Sequence, residues 1–155
     1  RLPQALSEDE YERARALRQG PNAIIQGAAS DILMTATPLI GREMRRRAMR
    51  SRLFLTVHDS RGADCHISEA VDYIKIAKER LERPFAFDIP LGKNFDWSWM
   101  RGIPIKADFK VGTNWRDAVE IKEISDQSVV VARKESLEIQ KKSDKEMTEW
   151  LRGAA

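Results

Sequence analysis

"LFLTVHDS", Leu53–Ser60, is the stretch on which the fold turns. Leu53–Val57 is a short, mostly apolar run rich in strand-forming residues, bounded by charge, and it reads as a buried strand. It runs straight into two titratable groups, His58 and Asp59. "RGADCHI" (Arg61–Ile67) reads as the returning partner across a tight turn at His58–Arg61, with Gly62 weakening that second strand. The expected unit is a hairpin with a carboxylate at its tip.

Working outward, the flanking segments carry helical periodicity. "LSEDEYERARALRQG" (Leu6–Gly20) predicts a helix with Ser7 as N-cap, acids in its first turn and Gly20 closing it, before Pro21 forces a break. Asn22–Met49 predicts a second, longer helix with Ile25, Ala29, Ile32, Ala36 and Leu39 on one side, kinked or divided at Pro38. Beyond the hairpin, Ser68 caps a helix through about Arg83, with Ala70, Ile74, Ala77 and Leu81 as its core stripe and Pro84 ending it.

Phe85–Gly102, with Gly, Pro and two Trp, reads as a connecting loop packed by its aromatics. "IPIKADFKV" (Ile103–Val111) alternates as a half-exposed strand, and "GTN" turns it. "QSVVVA" (Gln127–Ala132) reads as one more strand, and Lys134–Gly153 as a polar helix. The order implies an α+β fold, an antiparallel sheet with helices packed on one face.

At 155 residues, with 42% hydrophobic and 33% charged residues, the chain is expected to be one globular domain with a real core. Its apolar runs read as too short to span a bilayer, and no basic segment followed by an apolar one opens it, so neither a membrane partner nor a signal peptide is expected. Cys65 is the single cysteine, which excludes an internal disulfide and fits a reducing, cytoplasmic setting. One Cys and two His fall short of the usual ligand count for a zinc site. The net charge is +3, but six arginines crowd between Arg42 and Arg52. They fit either a polyanionic partner or cations gathered at the negative pole of a helix.

A carboxylate on a tight hairpin is rigid and reachable. Magnesium takes hard oxygen ligands, often one or two carboxylates together with substrate phosphates. Two-metal phosphoryl transfer needs a second carboxylate, for which this chain offers Asp64 and Asp108. The plain structural alternative is an aspartate bonded to its own turn. A His-Asp pair also fits a metal-dependent phosphohydrolase, but His66 is the only other histidine.

Four stretches in order carry a resemblance: "RLP" (Arg1–Pro3), "RQGPNAIIQGAASDIL" (Arg18–Leu33), "LTVHDS" (Leu55–Ser60) and "IPIKADFKVGTNW" (Ile103–Trp115). They resemble, respectively, the RRLP, the R…N.PIQG.AADI segment, palm motif C (usually VHDE) and the closing strand with its G.NW signature in family A, polymerase I-type, DNA polymerases. The 32-residue step from Gln26 to His58 fits that family's spacing. The resemblance covers about residues 1–119, the C-terminal part of a polymerase palm, and leaves 120–155 as an extension without a counterpart.

The resemblance implies a fragment of a DNA-directed DNA polymerase, of phage or bacterial type, working in the cytoplasm of a bacterial or phage-infected cell. It makes Asp59 one of two metal-binding palm aspartates, serving a two-Mg2+ site completed by an Asp upstream of this chain. His58 would stand by the primer terminus. Arg18, Asn22 and Gln26 would touch primer–template DNA, checking minor-groove acceptors that recur at every base pair. Ser60 stands where the common motif has Glu, an auxiliary position; Arg61 and Gly62 replace the usual apolar residues. The partners implied are primer–template DNA, dNTP and the remainder of the polymerase chain. The isolated fragment is expected to be inactive, because the first palm aspartate and the nucleotide-binding helix lie elsewhere. The alternative is a non-catalytic basic nucleic-acid-binding module using Arg42–Arg52.

Overall fold

The computed structural model describes residues 3–83 and 102–153. A 3-10 turn at Pro3–Leu6 leads into helix α1, Glu10–Arg46, which is followed by strands β1, Arg52–Val57, and β2, Ser60–Asp64. Helix α2 spans Ala70–Glu82; strands β3, Phe109–Val111, and β4, Val119–Ile121, precede the closing helix α3, Asp126–Gly153. β1 pairs with β2 and β3 with β4, both antiparallel, as two separate two-stranded sheets. The mixed α+β character is as expected. The loop expected at Phe85–Gly102 falls, but for Gly102, outside the described residues, as does most of "RLP".

α1 overturns the expected break at Gly20–Pro21. It runs unbroken for 37 residues with Pro21 and Pro38 both inside it. Each proline removes one helical N–H, a local cost of about 3 kcal/mol. Nor does Ser7 cap it. Asp9 does, accepting from the amides of Tyr11 (2.8 Å) and Glu12 (3.2 Å) through one carboxylate oxygen; Ser7 Oγ accepts only from the Asp9 amide. The C-terminus closes in a Schellman arrangement. The Met49 amide donates to Met44 O and the Ala48 amide to Arg45 O, both at 3.0 Å, with Ala48 at φ +52°.

The buried stripe of α1 lies in its second half: Leu33, Thr35, Ala36, Leu39, Ile40 and Met44. Ala36 and Leu39 of the expected stripe are there, but Ile25 is 68% exposed and Ala29 is exposed too. The first half of α1 projects from the body, with Ala16 as its one buried residue. By length and composition α1 also passes as a helix able to cross a membrane, contrary to the expectation that no segment would.

The core joins α1 and α2 with one residue of α3: Ala36, Ile40, Met44, Ala70, Tyr73, Ile74, Ile76, Ala77 and Val129. The expected α2 stripe is met at Ala70, Ile74 and Ala77, with Leu81 half-buried against it. α2 starts later than Ser68; a 3-10 turn, Ile67–Glu69, precedes it, with His66 Nδ1 accepting from the Ser68 amide (3.4 Å). Glu69 then fastens β1 to α2. Its carboxylate accepts from the amides of Arg50 (3.1 Å) and Ser51 (2.9 Å) and from Ser51 Oγ (2.6 Å), and is held at about 2, chiefly by the Ser51 hydroxyl.

"QSVVVA" is not a strand but the first turns of α3. β-branched residues favour strands, yet here a 3.6-residue period decides. Val129, Ala132 and Ser136 face inward while Val130 and Val131 stand exposed. The half-exposed strand expected at Ile103–Val111 is ordered as such only over Phe109–Val111.

Candidate active-site hairpin

The β1–β2 hairpin closes on the pair Val57↔Ser60, which leaves His58 and Asp59 as a two-residue loop. His58 takes φ +52°. Left-handed geometry at the first loop residue lets so short a connection match the twist of the strands; a side chain there stores roughly 1–2 kcal/mol of strain. Such strain is commonly held where a loop has a task. One residue of β1 is bulged: Leu53 faces Ala63 and Leu55 faces Gly62, so Phe54 is extra. A Cβ on Gly62 would lie 3.3 Å from the Phe54 ring, so that ring covers the buried glycine and stiffens the weak second strand.

His58, Asp59 and Ser60 are all exposed. Among the described residues, no hydrogen bond ties down the Asp59 side chain, so the plain alternative of a carboxylate consumed by its own turn is not what the structure holds. Asp59 therefore presents a hard oxygen donor to solvent.

The second carboxylate is not close by. Asp64 pairs opposite Arg52 at the far end of the hairpin, about 17 Å from Asp59 at the usual strand rise. Asp108 is exposed beside Lys106 (3.9 Å). Among the described residues, no three His, Cys, Asp or Glu side chains gather as a metal site. At its tip the hairpin offers a divalent cation the Asp59 carboxylate, which fits an ion held jointly with other groups. His66 is engaged locally, its Nδ1 2.8 Å from Ser68 Oγ and 3.1 Å from Arg50 Nη2, so the phosphohydrolase ligand set is not assembled.

Arg18, Asn22 and Gln26 are exposed on α1. Because α1 is continuous through Pro21, their four-residue spacing places them along one face, over about 12 Å of helix. Asn22 is interior to the helix and not a cap. No hydrogen bond or ion pair joins this face to the hairpin tip among the described residues. The link is indirect: Arg61, two residues past Asp59, donates through Nη2 to Thr37 Oγ1 on α1.

The arginine cluster is partly spent on acids. Arg46 donates to Glu43 through Nε (2.9 Å) and Nη2 (2.7 Å), and Arg47 through Nε (2.8 Å), which holds the Glu43 carboxyl at about 2. Arg50 pairs with Glu69 (3.5 Å). Arg42, Arg45 and Arg52 remain exposed.

A polar cluster that the motifs alone did not disclose lies in the β3–β4 loop. Asp117 is buried and grips Arg116 in two hydrogen bonds (2.9 and 3.1 Å). Asn114 Nδ2 donates to the same carboxylate, and the Asp117 amide donates back to Asn114 Oδ1, each at 2.9 Å. Arg116 first, then Asn114, hold that carboxyl below its usual range. The signal was the Asn-x-Arg-Asp spacing of a side chain closing a turn.

Residues 1–117 match the model of the family described as DNA polymerase family A. The DNA polymerase of Bacillus phage SP01 is 33% identical over 120 residues, covering 77% of this chain and 12% of that protein. DNA polymerase I of Borreliella burgdorferi is 33% identical over 90 residues (58% of this chain, 10% of that protein). DNA polymerase I of Bacillus subtilis is 29% identical over 117 residues (76% and 12%). A solved structure, the POL domain of Pol1 from M. smegmatis in complex with DNA primer-template and dNTP, aligns at a TM-score of 0.47 and 28% identity, covering 57% of this chain and 15% of that one. The chain thus spans 10–12% of the length of these curated relatives.

Proposed function

The chain belongs to DNA polymerase family A, and from that premise we propose that it is the C-terminal palm portion of a template-directed DNA polymerase that adds dNTP to a primer 3′-OH. The single observation that carries this reading is Asp59, exposed at the tip of a strained two-residue hairpin.

In this reading Asp59 contributes one carboxylate to a magnesium site that is completed by an aspartate from the remainder of the polymerase. Magnesium, when bound there, supplies electrostatic stabilisation to the attacking and leaving oxygens of phosphoryl transfer. Asp59 acts by being fixed in place: the two-residue loop leaves its backbone little freedom, so little reorganisation is needed at the moment of reaction. His58, held in the same loop, orients the primer end. Ser60 offers a hydroxyl to solvent around the carboxylate without adding charge. Arg18 and the amides of Asn22 and Gln26 donate to minor-groove acceptors, whose positions report pair geometry and not sequence.

The test is template-dependent incorporation of dNTP. The intact polymerase carrying these residues extends a primer in the presence of magnesium, and the isolated chain does not. Extension by the isolated chain would overturn its assignment as part of a site.

A further inference from the structure

Arg61 stands next to the hairpin tip, yet nothing in the chemistry above uses it. It is the second residue of β2, and its half-buried side chain reaches back to α1. Nη2 donates to Thr37 Oγ1, and that hydroxyl donates to the Leu33 carbonyl at 2.7 Å. Arg61 Nε is buried without a hydrogen-bond partner among the described residues. Burial holds the guanidinium below its ordinary pKa, with the Tyr73 phenol of α2 as a smaller opposing influence.

For stability alone this is a poor choice. A half-buried cation whose Nε is sealed off without a partner costs more than hydrocarbon of similar size. Its place explains it better. Thr37 immediately precedes Pro38, where α1 lacks an N–H for the Met34 carbonyl and its own hydrogen-bond ladder is interrupted. The root of the hairpin rests on α1 separately, where Leu53 Cδ1 packs at Gly41 (3.8 Å from the site of a Cβ). Root and tip are thus tied to the same helix at two points, and the tip tie is Arg61–Thr37.

We propose that Arg61 is a positioning residue that fixes the swing of the β1–β2 hairpin against α1, and with it the placement of Asp59 relative to the Arg18–Asn22–Gln26 face; this rests on the polymerase reading. From Thr37 the helix reaches Gln26 in about 16 Å. A small rotation at the tie therefore becomes a displacement of the carboxylate relative to the bound primer.

The experiment compares Arg61→Gln, Thr37→Val and their double variant with wild type in the intact polymerase, and runs Asp59→Ala beside them. Single-turnover rate constants at saturating dNTP, primer–template affinity and melting temperature are read, the kinetics well below every melting point. Each single variant lowers the rate constant by about 100-fold, the penalty of roughly 1 Å of misplacement, while primer–template affinity is unchanged. The double variant is no slower than the slower single, because both break one link. Arg61→Lys, which keeps a donor for Thr37 Oγ1, recovers most of the loss. Wild-type rate constants in both single variants, with Asp59→Ala inactive, would overturn the positioning role and leave the site assignment standing. A wild-type rate in Asp59→Ala would remove the site assignment and this role together.

Discussion

Thr113 and Ser136 meet across 23 residues of chain: the Thr113 amide donates to Ser136 Oγ at 3.1 Å, and Ser136 is fully buried. Thr113 Oγ1 adds a bond to Gln140 Oε1 (2.8 Å). Helix α3, which lies beyond the residues that match the polymerase family, thus clasps the loop that carries Asn114 and Trp115. Ser136→Ala leaves the Thr113 amide without its acceptor and is expected to cost about 1–3 kcal/mol, read by urea denaturation. Unchanged stability would show that α3 does not hold the loop.

Gly112 sits where that clasp is tightest. A Cβ there would lie 2.7 Å from Ala118 Cα and 2.8 Å from Ser136 Oγ. Ala118 Cα is backbone and cannot swing aside, so Gly112→Ala should destabilise the chain by about 1–3 kcal/mol, the usual range for overpacking. A neutral result in the same denaturation experiment would contradict this close approach.

Ala48 ends α1 with φ +52°, a position that usually takes glycine. Ala48→Gly relieves left-handed strain without touching the two Schellman hydrogen bonds. It should raise stability by about 0.5–1 kcal/mol after glycine's extra unfolded-state entropy is subtracted. A lowered melting temperature would count against the geometry at this helix end.

Glu43 and Glu69 are each held at about 2 against an ordinary 4.5. A depressed carboxyl stabilises the fold most when ionised in both states, so their contribution is complete above about pH 4.5 and fades as pH falls toward 2. Glu69→Gln should therefore melt earlier than wild type at neutral pH, with the difference shrinking through that window and gone below it. Melting temperature against pH for the two proteins checks this; a difference independent of pH would contradict it.

How much of this was legible beforehand follows residue by residue. The β1–β2 hairpin was readable because Leu53–Val57 carries strand formers next to a polar loop, although β1 is half-exposed and not the buried strand expected, since only one face of a two-stranded sheet finds cover; the α2 stripe was readable because nothing interrupts its period. The continuity of α1 was not readable, since Pro21 and Pro38 argue locally for breaks that the helix as a whole overrides. The Val129–Val131 run misled because local β preference yielded to the burial of one face against α2 and the β3–β4 hairpin. Asp59, Arg18, Asn22 and Gln26 were visible as motif positions, but that the last three share one face was not, because it depends on the helix continuing through Pro21. The Arg61–Thr37 tie and the Glu69 anchor were not, because they join residues 24 and 18 positions apart that only folding brings together.

The most direct measurement is single-turnover primer extension by the intact polymerase with Asp59 replaced by alanine, at saturating magnesium and dNTP. If Asp59 holds the metal for phosphoryl transfer, the rate constant falls by roughly three orders of magnitude or more, with primer–template affinity retained. A rate constant close to that of the unsubstituted enzyme would contradict the account.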